Sequence, residues 1–281
     1  MEKIRKNKKV IAVFLIPAVL IYLCFELIPV VMSVYFSFND WPGLQAVPLK
    51  FVGFKNYSNL FHNAVFLKSL QNVLIYVVVS VILQVPIGFG LGLLIHHFKK
   101  GQRFFKAAFF IPMILSVTAV ALLWNFIYFP TDKGILNSLL IKIGLGNYIQ
   151  QWLVNPKTSL ICLIVVSTWT SVGYYMIICL AGLTSIPDSV LEAGELDGAT
   201  GWKKIWNLYI PMLWEPLKMS TIMVITGVLK IFDTVYILTP TGGTSNCTIV
   251  PALLMYNEAY RYGHYGTGSA IATVLSLIHI S

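Results

Sequence analysis

The chain has 281 residues, 57% of them hydrophobic and only 11% charged, with a formal net charge of +9. A soluble globular domain carries about 25% charged residues, so an ordinary water-soluble fold is excluded. Nucleic acid is excluded as the reason for the positive charge, because the basic residues flank apolar runs, where they set membrane orientation, and no nucleic-acid-binding motif occurs.

A helix needs about 20 apolar residues to cross roughly 30 Å of hydrocarbon. The first span is predicted at 10–38, behind the basic segment 1–9, MEKIRKNKK. It lacks a small-residue cleavage site and is too long for a signal-peptide core, so it is read as a retained helix. Residues 39–69 form a loop outside the membrane. The second span is predicted at 70–98; its Gly88 and Gly92 have the spacing that lets helix backbones approach closely in lipid. Asn72, at its outer end, is read as a cap or a cross-link between helices. The third, fourth and fifth spans are placed at 107–129, 160–183 and 217–238. The sixth, SAIATVLSLIHIS, offers 13 residues, about 20 Å of helix, and is read as truncated. The expected fold is therefore an all-α membrane protein of six transmembrane helices in a lipid bilayer.

Lys and Arg favour the cytoplasmic side. With the N-terminus inside, the two densest basic clusters, Lys3 to Lys9 and Lys99 to Lys106, both fall in the cytoplasm. Residues 184–216 then face the cytoplasm too. That segment is oddly polar for this chain. PDSVLEAGELD reads as a short helix opened by Pro187 and Asp188 and closed by Gly198 as a left-handed cap. Thr200 is expected to cap a second helix that Pro211 stops. Val190, Leu191 and Gly194 share one face of the first helix, leaving Glu192 and Glu195 elsewhere.

The segment resembles the EAA loop of the permease subunits of binding-protein-dependent ABC importers. That pattern is Glu-Ala-Ala, three residues, Gly, nine residues, then Ile-x-Leu-Pro. Here it stands as Glu192, Ala193, Gly194, then Gly198, then Leu208, Tyr209, Ile210 and Pro211. The departures are Gly194 for the second alanine and the exchange of Leu and Ile. FVGFKNYSNLF (51–61), SLQNVLIY (69–76), ALLWNFI (121–127), LAGLTSIP (180–187) and IFDTVYILT (231–239) are similar to carbohydrate-uptake permeases of the maltose and glycerol-3-phosphate type, first subunit. The family's Thr-x-Gly-Gly-Pro appears as TPTGGT, with an extra residue and no closing proline.

The resemblance implies a type I ABC importer permease fold, with residues 70–281 as its transmembrane domain, in a bacterial or archaeal cell membrane. It implies a second permease subunit, two cytoplasmic ATPase subunits, an extracytoplasmic solute-binding protein and a sugar substrate. The coupling contacts carried over are Glu192, Ala193, Asp197, Gly198, Ala199 and Pro211. The chain holds no Gly-x-x-x-x-Gly-Lys-Ser/Thr loop, so ATP and Mg are assigned to partner subunits. No cofactor or metal is expected in this chain, nor a catalytic residue.

Candidate substrate-path residues are polar or aromatic groups inside spans, where they are costly and tend to face a cavity. Span four offers Trp169, Thr170 and Tyr174, with Ser167, Ser171 and Tyr175 beside them; interhelical hydrogen bonding is the competing reading. Span five offers Lys230 and Asp233, three apart and so expected on one helical face, as an ion pair or as lining of the path. An intramembrane enzyme is disfavoured because no grouped carboxylates or His-Glu-x-x-His occur. An ATP-independent carrier or channel is the remaining alternative, and it leaves the patterned loop unexplained.

Overall fold

The computed structural model describes residues 8–44, 46–98 and 101–280. The basic residues of 1–7 and at 99–100, on which the orientation partly rests, lie outside the described residues. Two compact units emerge, one of residues 1–67 with 254–281 and one of residues 68–253.

The first unit opens with α1 (Lys8–Tyr22), a π turn (Leu23–Leu27) and α2 (Ile28–Ser37). The turn has a local cause. Pro29 has no N–H and its ring collides with the carbonyl four residues back. Widening the preceding turn lets Ile28 N–H bond Leu23 O and moves the backbone out of that register. The most apolar window of this span buries none of its residues within the protein, which in water would be untenable and in lipid costs nothing. A two-stranded antiparallel ribbon follows, β1 (Asn39–Asp40) with β2 (Lys50–Phe51), then α3 (Lys55–His62). The predicted outer loop is thus folded. Asn56 Nδ2 donates to Ser37 O at 2.8 Å and to Asn39 O at 3.0 Å, tying α3 to the end of α2. The last helix of the unit, α14 (Tyr265–Ile280), packs along α2, and Gly266 meets the Asn39 carbonyl so closely that no Cβ would fit. This helix begins four residues before the predicted start of span six.

The second unit is built around α8 (Ser159–Thr184); the short helices α7 (Ile135–Lys142) and α13 (Pro251–Tyr256) complete the chain order. The long helix α4 (Ala64–His97) lies against it through the two glycines singled out by their spacing. A Cβ on Gly88 would stand 2.8 Å from Tyr175 Cβ, and one on Gly92 3.3 Å from Cys179 Cβ. Ile95, Met176 and Leu180 fill the contact, with Phe109 packed on them from α5 (Gln102–Ile114). Asn72, expected to cap or to cross-link helices, instead ties α4 to a loop: its Nδ2 donates to Asn246 O at 3.0 Å and Ile249 O at 2.9 Å. Both carbonyls lie just after the TPTGGT turn, where Gly242 and Gly243 take positive φ.

Among the described residues three helices are long and apolar enough to cross a membrane uninterrupted, and up to five spans result if each of two bent pairs counts as one. Span three is the first such pair. It breaks into α5 and α6 (Val117–Ile127), bent by 98°. Leu115 and Ser116 adopt extended backbone, and Ser116 Oγ accepts from Ala119 N–H at 3.2 Å to cap the new helix. The second pair is α10 (Trp202–Met212) and α11 (Trp214–Leu229), bent by 73°. Span five accordingly ends at Leu229, nine residues before its predicted end; the remainder is a separate short helix, α12 (Asp233–Leu238). Hydropathy sums do not register a backbone excursion of two or three residues, which is why the break at Leu115–Ser116 and the one at 230–232 both read as continuous span.

Candidate functional site

Two helix breaks of the second unit, α5–α6 and α11–α12, border one cavity of about 230 Å³. Met113, Leu115 and Val117 bring the α5–α6 break to it, and Ile231 and Thr234 bring the α11–α12 break. Non-helical backbone at membrane depth is tolerated only where it is buried in protein or lines a water-filled space, so the cavity and the two interruptions belong together. Its remaining wall comes from one face of α8, with Ser167, Thr170, Ser171 and Tyr175, and from Gln84 of α4 and Gly227 of α11. Among the described residues no charged side chain lines it.

The sequence-derived path residues divide here. Thr170 lines the cavity, although its Oγ1 donates to Val166 O at 2.8 Å. Trp169 instead lies edge-on to Trp124, with ring centroids 5.8 Å apart. Tyr174 turns its hydroxyl to Met223 Sδ at 3.8 Å. Neither of these two lines the cavity. Lys230 and Asp233 correct the expectation of a shared helical face. Lys230 caps the C-terminus of α11, Asp233 opens α12, and the backbone between them is irregular. Both side chains are exposed and no ion pair joins them among the described residues. The i, i+3 rule applies only within one unbroken helix.

Gln84, Gly227 and Thr234 were not found by sequence reasoning. A signal existed for the first: Gln84 is an amide inside an unbroken apolar run, SVILQVPIGF, and polar groups at such depth are costly unless used. Gly227 gives no such signal, because what matters is the empty space beside it. A Cβ there would meet nothing within 4 Å.

The polar loop forms a second candidate element. Its first helix, α9 (Asp188–Leu196), ends in a complete Schellman motif. Gly198 N–H bonds Glu195 O at 3.0 Å and Ala199 N–H bonds Gly194 O at 2.8 Å, with Gly198 at φ +80°. The expected left-handed cap at Gly198 is therefore present. Thr200 does not cap the second helix as expected; Gly201, at φ 54° and ψ −125°, occupies that position. Nor does Pro211 end it. A π turn at Ile205–Tyr209 lets Ile210 N–H bond Ile205 O just ahead of Pro211, and the helix runs on to Met212. Ile28–Pro29 and Ile210–Pro211 thus absorb a proline by the same widening of the turn before it.

The two helices of the loop are locked together by Lys204 Nζ to Glu195 Oε1 at 2.6 Å, with the same ammonium 5.6 Å from the centre of the Tyr209 ring. They are rooted by Val190, Leu191 and Tyr209, which pack on Leu183, Ile186 and Leu213. That is the apolar face expected of α9. Glu192, Ala193, Asp197, Gly198 and Pro211 are exposed, and Ala199 is half-buried. Beside them stand three apolar side chains that the sequence reading passed over: Leu196 is 90% exposed, Trp202 75% and Trp206 64%. Two tryptophans and a leucine thus stand exposed on one short loop, and large exposed apolar side chains of this kind, where they adjoin, mark a protein contact.

Gly194, the departure from the EAA pattern, sits where a Cβ would touch Leu208 at 3.4 and 3.5 Å, ordinary contact distances. Gly194→Ala is therefore expected to fit and to stabilise the loop by about 0.5–1 kcal/mol, the usual helix-interior difference between the two residues. The readout is a raised thermal midpoint of the purified subunit; a lowered one would mean that the loop packs differently around Leu208.

Residues 84–281 match the family model described as binding-protein-dependent transport system inner membrane component. The probable ABC transporter permease protein YurN of Bacillus subtilis is 36% identical over 99% of this chain and 94% of its own length. The lactose transport system permease protein LacF of Rhizobium radiobacter is 32% identical, covering 89% of this chain and 83% of that one. A bacterial alginate ABC transporter, crystallised in complex with alginate pentasaccharide-bound periplasmic protein, contains a chain that superposes with a TM-score of 0.84 at 20% identity. The superposition covers 99% of this chain and 92% of that one. At that identity the likeness establishes the fold.

Proposed function

The chain belongs to the binding-protein-dependent transport inner-membrane component family, and on that footing we propose that it is one of two permease subunits of a sugar importer driven by separate ATPases. Its N-terminus is cytoplasmic, and loop 184–216 lies on the same side. An extracytoplasmic binding protein delivers the sugar, and the cavity between the two helix breaks is its way through. Relatives named for lactose, for multiple sugars and for arabinooligosaccharides support the cargo class.

The observation that carries the proposal is the cavity. Two interrupted spans meet a helix face of hydroxyls with no charge among them, which is how a translocation site for a neutral, hydroxyl-rich cargo is built. Thr170, Ser167 and Ser171 line that path, and Lys230 and Asp233 flank the irregular backbone at Ile231 and Phe232. Trp169 and Tyr174 pack the surrounding helices. The loop supplies the drive. Glu192, Ala193, Asp197, Gly198, Ala199 and Pro211 present a stiff, cap-locked surface, with Leu196, Trp202 and Trp206 as anchors, to a nucleotide-binding subunit that also holds ATP and Mg. Motion is passed on because the loop is rooted on Leu183 and Leu213, at the ends of the helices that wall the cavity.

The test is reconstitution of the chain with its companion permease, ATPases and binding protein in vesicles, with lactose and maltose as labelled probes. Uptake is expected only when ATP and all partners are present. Gly227→Phe, which fills the space beside a glycine with no neighbours, is expected to abolish uptake while membrane level stays normal. Uptake that persists without the ATPases would make the chain a passive carrier and overturn the reading.

A further inference from the structure

Gln84 is 2% exposed, sits midway along α4 and lines the cavity. Among the described residues no hydrogen bond reaches its side-chain amide, whose small accessible area opens on the cavity. An amide carries two donors and an acceptor with two lone pairs. Leaving them unpaired inside a membrane protein costs free energy that a leucine of similar size would not. Two of the lining hydroxyls are already engaged: Ser167 Oγ is bonded to Tyr76 OH, and Thr170 donates to Val166 O. The lining holds no charge that could bind an ionic cargo. An amide that opens on a cavity at this depth with no protein hydrogen bond is placed to bond something that arrives.

We infer that Gln84 is a cargo-binding residue, whose amide donates to and accepts from hydroxyls of an uncharged sugar held in the cavity. The inference rests on the sugar-importer reading above. Each sugar hydroxyl both donates and accepts, so a single amide can meet two adjacent hydroxyls at once. The amide's bonding capacity is then satisfied only in the loaded state, which favours occupancy by cargo over an empty cavity. A site built to hydrogen-bond a hydroxyl also discriminates against cargo lacking one, because the group is left unpaired again.

The experiment uses the complete reconstituted importer with maltose, lactose and arabinobiose as labelled probes, comparing the unsubstituted chain with Gln84→Leu and Gln84→Asn. For Gln84→Leu, uptake of the best-carried probe is expected to fall by about tenfold or more, the worth of one hydrogen bond to cargo. The thermal midpoint of the purified complex is expected to stay or rise, since an unpaired amide has been removed. Gln84→Asn, which restores a donor and an acceptor, is expected to recover part of the uptake. Undiminished uptake by Gln84→Leu overturns the inference. So does a loss of uptake matched by a lowered midpoint and a lowered membrane level, which would assign Gln84 to helix packing. Failure of the unsubstituted importer to carry any probe is a separate result: it rejects the sugar reading, and this inference with it.

Discussion

Gly198→Val is expected to leave the subunit inserted in the membrane at normal level and to cut ATP-driven uptake by about tenfold or more. The glycine sits at φ +80°, where it closes the Schellman motif that ends α9. A Cβ there would touch nothing within 4 Å, so no clash contributes. The whole cost is conformational: an L-residue in the left-handed region is disfavoured by about 1–2 kcal/mol, and a β-branched one by more. That is too little to unfold a protein held by several kcal/mol. It is enough to favour a different exit from the helix and to re-aim Leu196 and the tryptophans that follow the turn. Gly198→Asn is the internal control, because asparagine enters the left-handed region most readily among side-chain-bearing residues, and it is expected to keep most of the uptake. The measurement is sugar imported per ATP hydrolysed. A valine variant with normal coupling would show that the loop is not the lever.

Gly173→Leu is expected to have the opposite signature, with the protein itself lost. Gly173 lies in the middle of α8, and the Phe109 carbonyl oxygen of α5 occupies the place where its Cβ would be; Phe109 C would stand 2.5 Å away and Phe110 N 3.0 Å. Backbone cannot step aside as a side chain can. Overpacking a well-filled contact costs about 1–3 kcal/mol, more where no rotamer change relieves it, and α8 is the helix the second unit is assembled on. Membrane level measured by immunoblot is expected to fall several-fold, even for Gly173→Ala. Gly90→Ala, in α4, provides the comparison: nothing lies within 4 Å of its added Cβ, so it is expected to accumulate normally. Equal accumulation of both alanine variants would mean that α5 and α8 are not in this contact.

These two glycines show how far the sequence could be read. Gly198 was legible because its cause is local: a polar helix, a cap position and a fixed spacing to Pro211 all lie within 20 residues. Gly88 and Gly92 were legible by their mutual spacing, though the partner residues Tyr175 and Cys179 were not. Gly173 carried no signal, since its neighbour is a carbonyl more than sixty positions earlier in the chain. The same distinction explains Lys230 and Asp233. Their separation promises a shared face only if the helix continues, and the interruption at 230–232 is a tertiary outcome, stabilised because it borders a cavity.

By itself, then, the sequence determined that the chain lives in lipid, approximately where its apolar segments lie, and that residues 184–216 form a capped polar loop of a known pattern. Hydropathy, charge placement and capping are properties of contiguous residues, so no partner needs to be known to read them. Only the tertiary structure decided that spans three and five are broken, that both breaks open on one cavity, and that Gln84 lines it with its amide unpaired. Those features depend on which distant backbone or side-chain atoms arrive at a given point, and in an apolar chain many residues are equally hydrophobic while few are placed where a gap is left.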